Sequence, residues 1–122
     1  MIQRGKIKLS RTGLYMAYPT TSELKPIANG YQTMVNDQHT NIGMTTVSFS
    51  DRKQGYLDTF DGEVEFIPLV EVPADQVKQL RDEILLELGK RFTRAGNSTQ
   101  WFETNQRDEF SRIALQTVNQ KF

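Results

Sequence analysis

Cysteine is absent from this chain, and histidine occurs once, at His39. The first absence excludes disulfides, thiolate zinc sites and cysteine nucleophiles, and the second excludes a histidine-rich metal site. Net charge is missing too, because fifteen basic and fifteen acidic residues cancel. Affinity for a nucleic-acid backbone comes from phosphate neutralisation, so a neutral chain binds DNA only if its cations gather locally. There is no apolar run long enough to span a bilayer, so no membrane partner is expected. The opening Met1-Ile2-Gln3-Arg4-Gly5-Lys6 is basic, but no apolar stretch follows it. It does not read as a secretory signal, and the expected location is cytoplasmic. Without a secretory route the Asn97-Ser98-Thr99 sequon carries little weight.

What is present is an ordinary globular composition. Hydrophobic residues make up 37% and charged residues 25% of 122 residues. That suits one domain over 1–122, with a core of about 12–104 and a C-terminal helix of about 105–120. The charges are unevenly spread. Lys6, Lys8 and Arg11 lie near the first strand, Arg52 and Lys53 are adjacent, and Lys90, Arg91 and Arg94 cluster. The acids gather in 58–71 and at Asp108 and Glu109. A local basic face is therefore compatible with zero net charge.

Alternation predicts strands over 6–10 and 13–18, carrying Ile7 and Leu9, then Leu14, Met16 and Tyr18. A polar connection over 23–37 follows, with Pro26, an Asn29-Gly30 turn and a small hairpin ending at 31–35. Residues 40–47 read as a strand with Ile42, Met44 and Thr46 on one face. Ser48 or Ser50 caps a short helix through Arg52. Asp61-Gly62 is a turn, and 64–72 is a strand in which Pro68 marks an edge or a bulge. Pro73-Ala74-Asp75 opens a helix whose apolar stripe is Val77, Leu80, Ile84, Leu88 and Phe92, ending at Gly96-Asn97-Ser98. The last helix starts near Asn105 and buries Phe110, Ile113, Ala114, Thr117 and Val118. The fold class is α+β: a small, mostly antiparallel, three-stranded sheet flanked by helices.

Four short pieces then stand out by their order. Gly13-Leu14-Tyr15 and Asn41-Ile42-Gly43 each lie in a strand, Arg52 follows Gly43 by nine residues, and Glu83 lies on the strong helix. Each alone is commonplace: Tyr15 as a half-buried strand tyrosine, Arg52 and Glu83 as solvated helix residues. In this order they resemble the GIY-YIG nuclease superfamily, with Asn41 where a tyrosine is usual. Gln100-Trp101-Phe102 resembles the "EWF" ending of a short, phage-associated branch, with Gln100 in place of the acid. The resemblance covers about 13–102. It implies a β-hairpin carrying both tripeptides and a divalent-metal-dependent DNA endonuclease hydrolysing phosphodiester bonds.

The residue types suit that chemistry. The Arg52 guanidinium would stabilise charge building on the phosphoryl oxygens. Mg²⁺ or Mn²⁺ on Glu83 would stabilise the leaving oxygen, with Glu87 as the alternate ligand. Tyr15 would orient or deprotonate the attacking water, the latter only if Arg52 or the metal lowers its pKa. Gly43 would let the backbone approach closely. Asn41 hydrogen-bonds but is no phenol, and His39 is a candidate substitute base that otherwise reads as a loop histidine. Lys53, Arg91 and Arg94 are candidate DNA contacts, although basic residues at a helix end are also favoured by its dipole. Tyr56 either packs on the Arg52 helix or contacts substrate, and Trp101-Phe102 reads as core. A double-strand cut would need a symmetric homodimer, and sequence specificity would come from 22–38, the last helix or a partner protein. The alternative is a catalytically inactive nucleic-acid- or protein-binding module of the same fold. A third reading is an interaction protein whose motifs coincide by chance, with the two tripeptide strands apart. Convergence of Tyr15, Arg52 and Glu83 on one open pocket is what an enzyme requires.

Overall fold

The computed structural model describes residues 7–27 and 32–121. Lys6, the Asn29-Gly30 turn and Tyr31 lie outside them. Strand β1, Gly13–Pro19, is the spine of the molecule. Its alternation sends Leu14 and Met16 into one core and Tyr15 and Ala17 into another on the opposite face. Because both faces are covered, the strand reads as nearly continuous burial rather than as a half-exposed alternation. Two two-residue strands, β2 (Lys25–Pro26) and β3 (Met34–Val35), pair as the small hairpin expected in the connection. Strand β4, Thr40–Thr45, then pairs antiparallel with β1, setting Tyr15 opposite Gly43 and Ala17 opposite Asn41.

Ser48 caps helix α1, Phe49–Thr59, its hydroxyl accepting from the Asp51 N–H at 3.1 Å. Strand β5, Val64–Glu71, runs along the other side of β1, at the sheet edge. Its register against β1 shifts between Leu14, opposite Val70, and Tyr15, opposite Pro68. An edge strand with a bulge is where a residue without an N–H is tolerated. A 3₁₀ turn, Ala74–Gln76, leads into α2, Val77–Gly89, whose Val77, Leu80, Ile84, Leu85 and Leu88 are buried. Strand β6, Trp101–Phe102, and helix α3, Arg107–Lys121, complete the chain. Helices α2 and α3 bury their apolar sides against Leu14, Met16, Ile42 and Met44, while Phe49 and Tyr56 of α1 pack on Tyr15 and Phe66 across the sheet.

Among the described residues the architecture is α+β, with a four-stranded antiparallel sheet in the order β5-β1-β4-β6, a separate two-stranded hairpin and three helices. Three expectations need correction. The sheet has a fourth strand, because Trp101 and Phe102 pair with Asn41 and Thr40. Two residues are too few to show a period, so they register in sequence only as core. Residues 7–10 form a turn and not a strand. Their carbonyls are committed elsewhere, Leu9 accepting from Ser50 N–H at 2.8 Å and Lys8 from Arg11 N–H at 3.1 Å. Helix α2 stops at Gly89, not at Gly96. The backbone beyond it is taken by pairing with the β6 segment, through Ala95 N–H to Trp101 O at 2.8 Å and Glu103 N–H to Thr93 O at 2.7 Å.

Candidate functional site

Strand β6 pairs with β4 only at Thr40 and Asn41, so Gly43–Thr45 of β4 runs on past its neighbour. A pocket of about 800 Å³ opens at this uncovered edge. Tyr15 and Asn41 form its floor with Met44, α1 supplies Arg52 and Tyr56, α2 supplies Arg81, and residues 97–101 form a wall.

The floor is set by the hairpin register. Tyr15 crosses directly over Gly43. A Cβ built on Gly43 would lie 2.8 Å from Tyr15 Cε1 and closer still to Cζ and Oη. Only glycine leaves the phenol its place. The ring is held from the other side by Phe66, stacked at 4.6 Å between centroids, and edge-on by Tyr56 at 5.7 Å. Tyr56 Oη donates to Asn41 Oδ1 at 2.8 Å and lies 3.0 Å from Tyr15 Oη. Tyr56 has one hydroxyl proton and Asn41 takes it, so Tyr15 donates to Tyr56. The order of the relay is Tyr15 to Tyr56 to Asn41.

Both phenols are held neutral. Burial raises the Tyr15 pKa above the ordinary tyrosine value, outweighing the Tyr56 hydrogen bond and the Arg52 and Arg81 charges, which pull it down. Burial, then the neighbouring Tyr15, push Tyr56 well above its ordinary value. Tyr15 at neutral pH therefore carries its proton. Having given that proton to Tyr56 in the hydrogen bond, it can orient a water through its lone pairs, and its pKa in the metal-free site is shifted away from that of a base. Both guanidiniums line the same pocket.

Arg52 and Tyr56 are four residues apart on α1, hence on one face. Arg81 is steadied by Gln100. With the amide oriented so that donors meet acceptors, the Gln100 oxygen accepts from Arg81 Nη2 at 3.0 Å and Nε at 3.2 Å. Among the described residues, no carboxylate lies within ion-pair distance of Arg52 or Arg81. The pocket thus carries two guanidiniums whose charge no ion pair neutralises, two phenols and three side-chain amides.

Of the expected site residues, the structure brings Tyr15, Asn41 and Arg52 to this pocket and sets Gly43 beneath Tyr15. It does not bring the others there. Glu83 is half-buried on α2 but is not part of the lining. It lies two residues from Arg81, roughly 200° around the helix, so α2 turns one or the other toward the pocket, and that one is Arg81. His39 lines a separate shallow hollow with Glu103 and Asn105, and its Nδ1 accepts from Asn36 N–H at 3.1 Å. Arg91 pairs with Glu109, and Arg94 lies 5.9 Å from the Phe102 ring centroid. Lys53 is half-buried on α1 and is not part of the lining.

Arg81, Gln100 and Tyr56 are the pocket residues that a motif-led reading underweights. Tyr56 carried a signal, its four-residue spacing from Arg52. Arg81 carried none, because its position beside the apolar stripe becomes informative only once the sheet edge is known. Glu83, the carboxylate expected to hold a divalent metal, is not among the donors of this pocket. Asp51 is the one carboxylate among the described lining residues, and two guanidiniums share the pocket with it. The chain matches no family model, no curated protein and no solved structure.

Proposed function

We propose that the pocket receives a phosphodiester of DNA and that the chain is a GIY-YIG-type domain whose first task at this site is to bind that phosphate. One observation carries the reading: Tyr15 lies over Gly43 in the β1–β4 hairpin, with Arg52 and Tyr56 presented above them from one face of α1. A phosphodiester is a tetrahedral anion with two free oxygens, and a guanidinium offers paired N–H donors that match it. Arg52 supplies charge, the Asn41 amide nitrogen is the donor left on the floor, and residues 97–101 wall the pocket. That Glu83, the expected metal ligand, does not line the pocket favours binding without hydrolysis.

The second reading is the endonuclease, and the phenol relay favours it. A binding site has no need to bury two hydrogen-bonded phenols behind its arginine, whereas Tyr15 Oη, donating to Tyr56, keeps its lone pairs for orienting a water. Nicking of supercoiled plasmid with Mg²⁺ or Mn²⁺, beside Arg52→Ala and Tyr15→Phe, separates the two. Binding of labelled DNA without nicking supports the first reading. Metal-dependent nicking lost in both variants replaces it with the second, and no binding to DNA at all rejects both.

A further inference from the structure

We infer that Arg81, held by Gln100, is a second phosphate-binding cation, and that this pocket grips DNA through paired guanidiniums without a divalent metal. The inference deepens the phosphodiester reading and rests on it. Arg52 comes from α1 and Arg81 from α2, so they reach the pocket from opposite faces of the sheet across the open edge of β4. An anion seated there is approached from two sides. The strand itself adds a donor. Ile42 N–H bonds Gln100 O at 3.0 Å, and the two-residue period turns Met44 N–H toward the same edge, where β6 has ended.

The identity of residue 100 is the informative detail. An acid at this position would pair with Arg81 and cancel its charge. Gln100 holds the same two nitrogens through a neutral oxygen and leaves the charge intact for a ligand. Arg81 spends Nε and one Nη2 proton on Gln100, so its end-on pair of N–H groups remains available. The local sum of Arg52, Arg81 and Asp51 is one positive charge, which suits one phosphodiester and repels a divalent cation.

The test is a fluorescence-anisotropy titration of a labelled DNA oligonucleotide with the full chain, in EDTA and in Mg²⁺ at matched ionic strength. Wild type is expected to bind equally, within about twofold, in both. Arg81→Gln and Gln100→Glu are each expected to weaken binding about tenfold, the usual loss for one charged hydrogen-bonding partner. Gln100→Glu keeps the size and polarity of the side chain, so its folding, checked by circular dichroism, guards against a purely structural effect. Glu83→Gln is expected to stay within about twofold of wild type. Binding abolished by EDTA and restored by Mg²⁺ overturns the inference, as does a tenfold loss in Glu83→Gln with none in Arg81→Gln. A wild type that binds DNA in neither condition overturns the phosphodiester reading beneath it.

Discussion

Gly43→Ala is the sharpest perturbation of the site, because it adds one methyl group where the Tyr15 ring already is. The new Cβ would fall 2.8 Å from Cε1 and closer to Cζ and Oη. A mobile tyrosine would swing aside at little cost. This one is 3% exposed, stacked on Phe66 and hydrogen-bonded to Tyr56, so it has nowhere to go within its rotamer. Overpacking of this kind costs about 1–3 kcal/mol. Losing the Tyr15–Tyr56 hydrogen bond adds about 1 kcal/mol. The expected destabilisation is about 2–4 kcal/mol, which at an m-value of about 1.5 kcal/mol/M moves the urea midpoint down by roughly 1–3 M. A double-mutant cycle isolates the cause. In a Tyr15→Leu background the ring atoms that collide are gone, and Ala in place of Gly in a strand is neutral or stabilising by up to about 1 kcal/mol. The two mutations should therefore couple by at least about 2 kcal/mol. Equal costs for Gly43→Ala in both backgrounds, or no cost in either, would refute the placement of Tyr15 over Gly43 and with it the floor of the pocket.

The remaining predictions concern the relay and the charges. The folded-state pKa values of Tyr15 and Tyr56 lie above the unfolded value of about 10. Their contribution is complete below that pH and is lost as pH rises from about 10 toward the folded values, because the unfolded chain releases its protons first. Urea melts between pH 9 and 11 should show that decline, and Tyr15→Phe and Tyr56→Phe should each flatten it. An undiminished slope in both variants would refute the assignment. Tyr56→Phe should also cost about 1–3 kcal/mol at neutral pH, since it takes the 2.8 Å donor from Asn41, which is 1% exposed. Chemical denaturation measures this directly, and a cost near zero would mean that the relay contributes no stability. If two guanidiniums carry the phosphate contact, the logarithm of the DNA-binding constant should fall against the logarithm of salt with a slope of about −2. A slope several times steeper would place most contacts outside this pocket.

Much of the fold was legible because its signals were local and redundant. The stripe Val77, Leu80, Ile84 and Leu88 is buried as its spacing requires, and Pro68 marks both an edge and a bulge. The Asp61-Gly62 turn shows itself in positive φ angles of 54° and 81°. What escaped was decided by non-local pairing. Nothing in Trp101-Phe102 announces a strand, because two residues have no period; the strand exists because Thr40 and Asn41 had an open side. Residues 7–10 alternate like a strand, yet their backbone is recruited to brace the start of α1. The site divides along the same line. Tyr15, Gly43, Asn41 and Arg52 were legible because hairpin register and a short loop to α1 leave them little freedom. Glu83 was chosen on its helix by motif alone, and a helix offers several polar positions flanking one apolar stripe. Which flank meets the pocket depends on how α2 sits against β4, and that is fixed by packing partners far away in sequence.

A neutral chain has to place its cations with care if it is to hold an anion, and the arrangement here follows that requirement. Arg11, Lys25, Lys90, Arg91 and Arg112 each lie beside a carboxylate, so their charge is spent locally. Arg107 is occupied by the Tyr18 ring at 3.8 Å and by backbone carbonyls of 37 and 39. Exposed ion pairs add little stability, but they balance these charges where they stand. Arg52 and Arg81 are treated differently. One stands beside phenols, the other on a neutral amide, and both face the open edge of one strand. Zero net charge is therefore compatible with the proposed phosphate site, and the proposal makes the affinity sensitive to one residue. Converting Gln100 to glutamate changes net charge by a single unit yet cancels half of the pocket's cationic charge. A comparable acid introduced outside the pocket lining, for example Arg112→Glu on the exposed side of α3, changes net charge by two units and should weaken DNA binding less than Gln100→Glu does. The opposite ranking would mean that overall charge, and not the paired guanidiniums, governs the affinity.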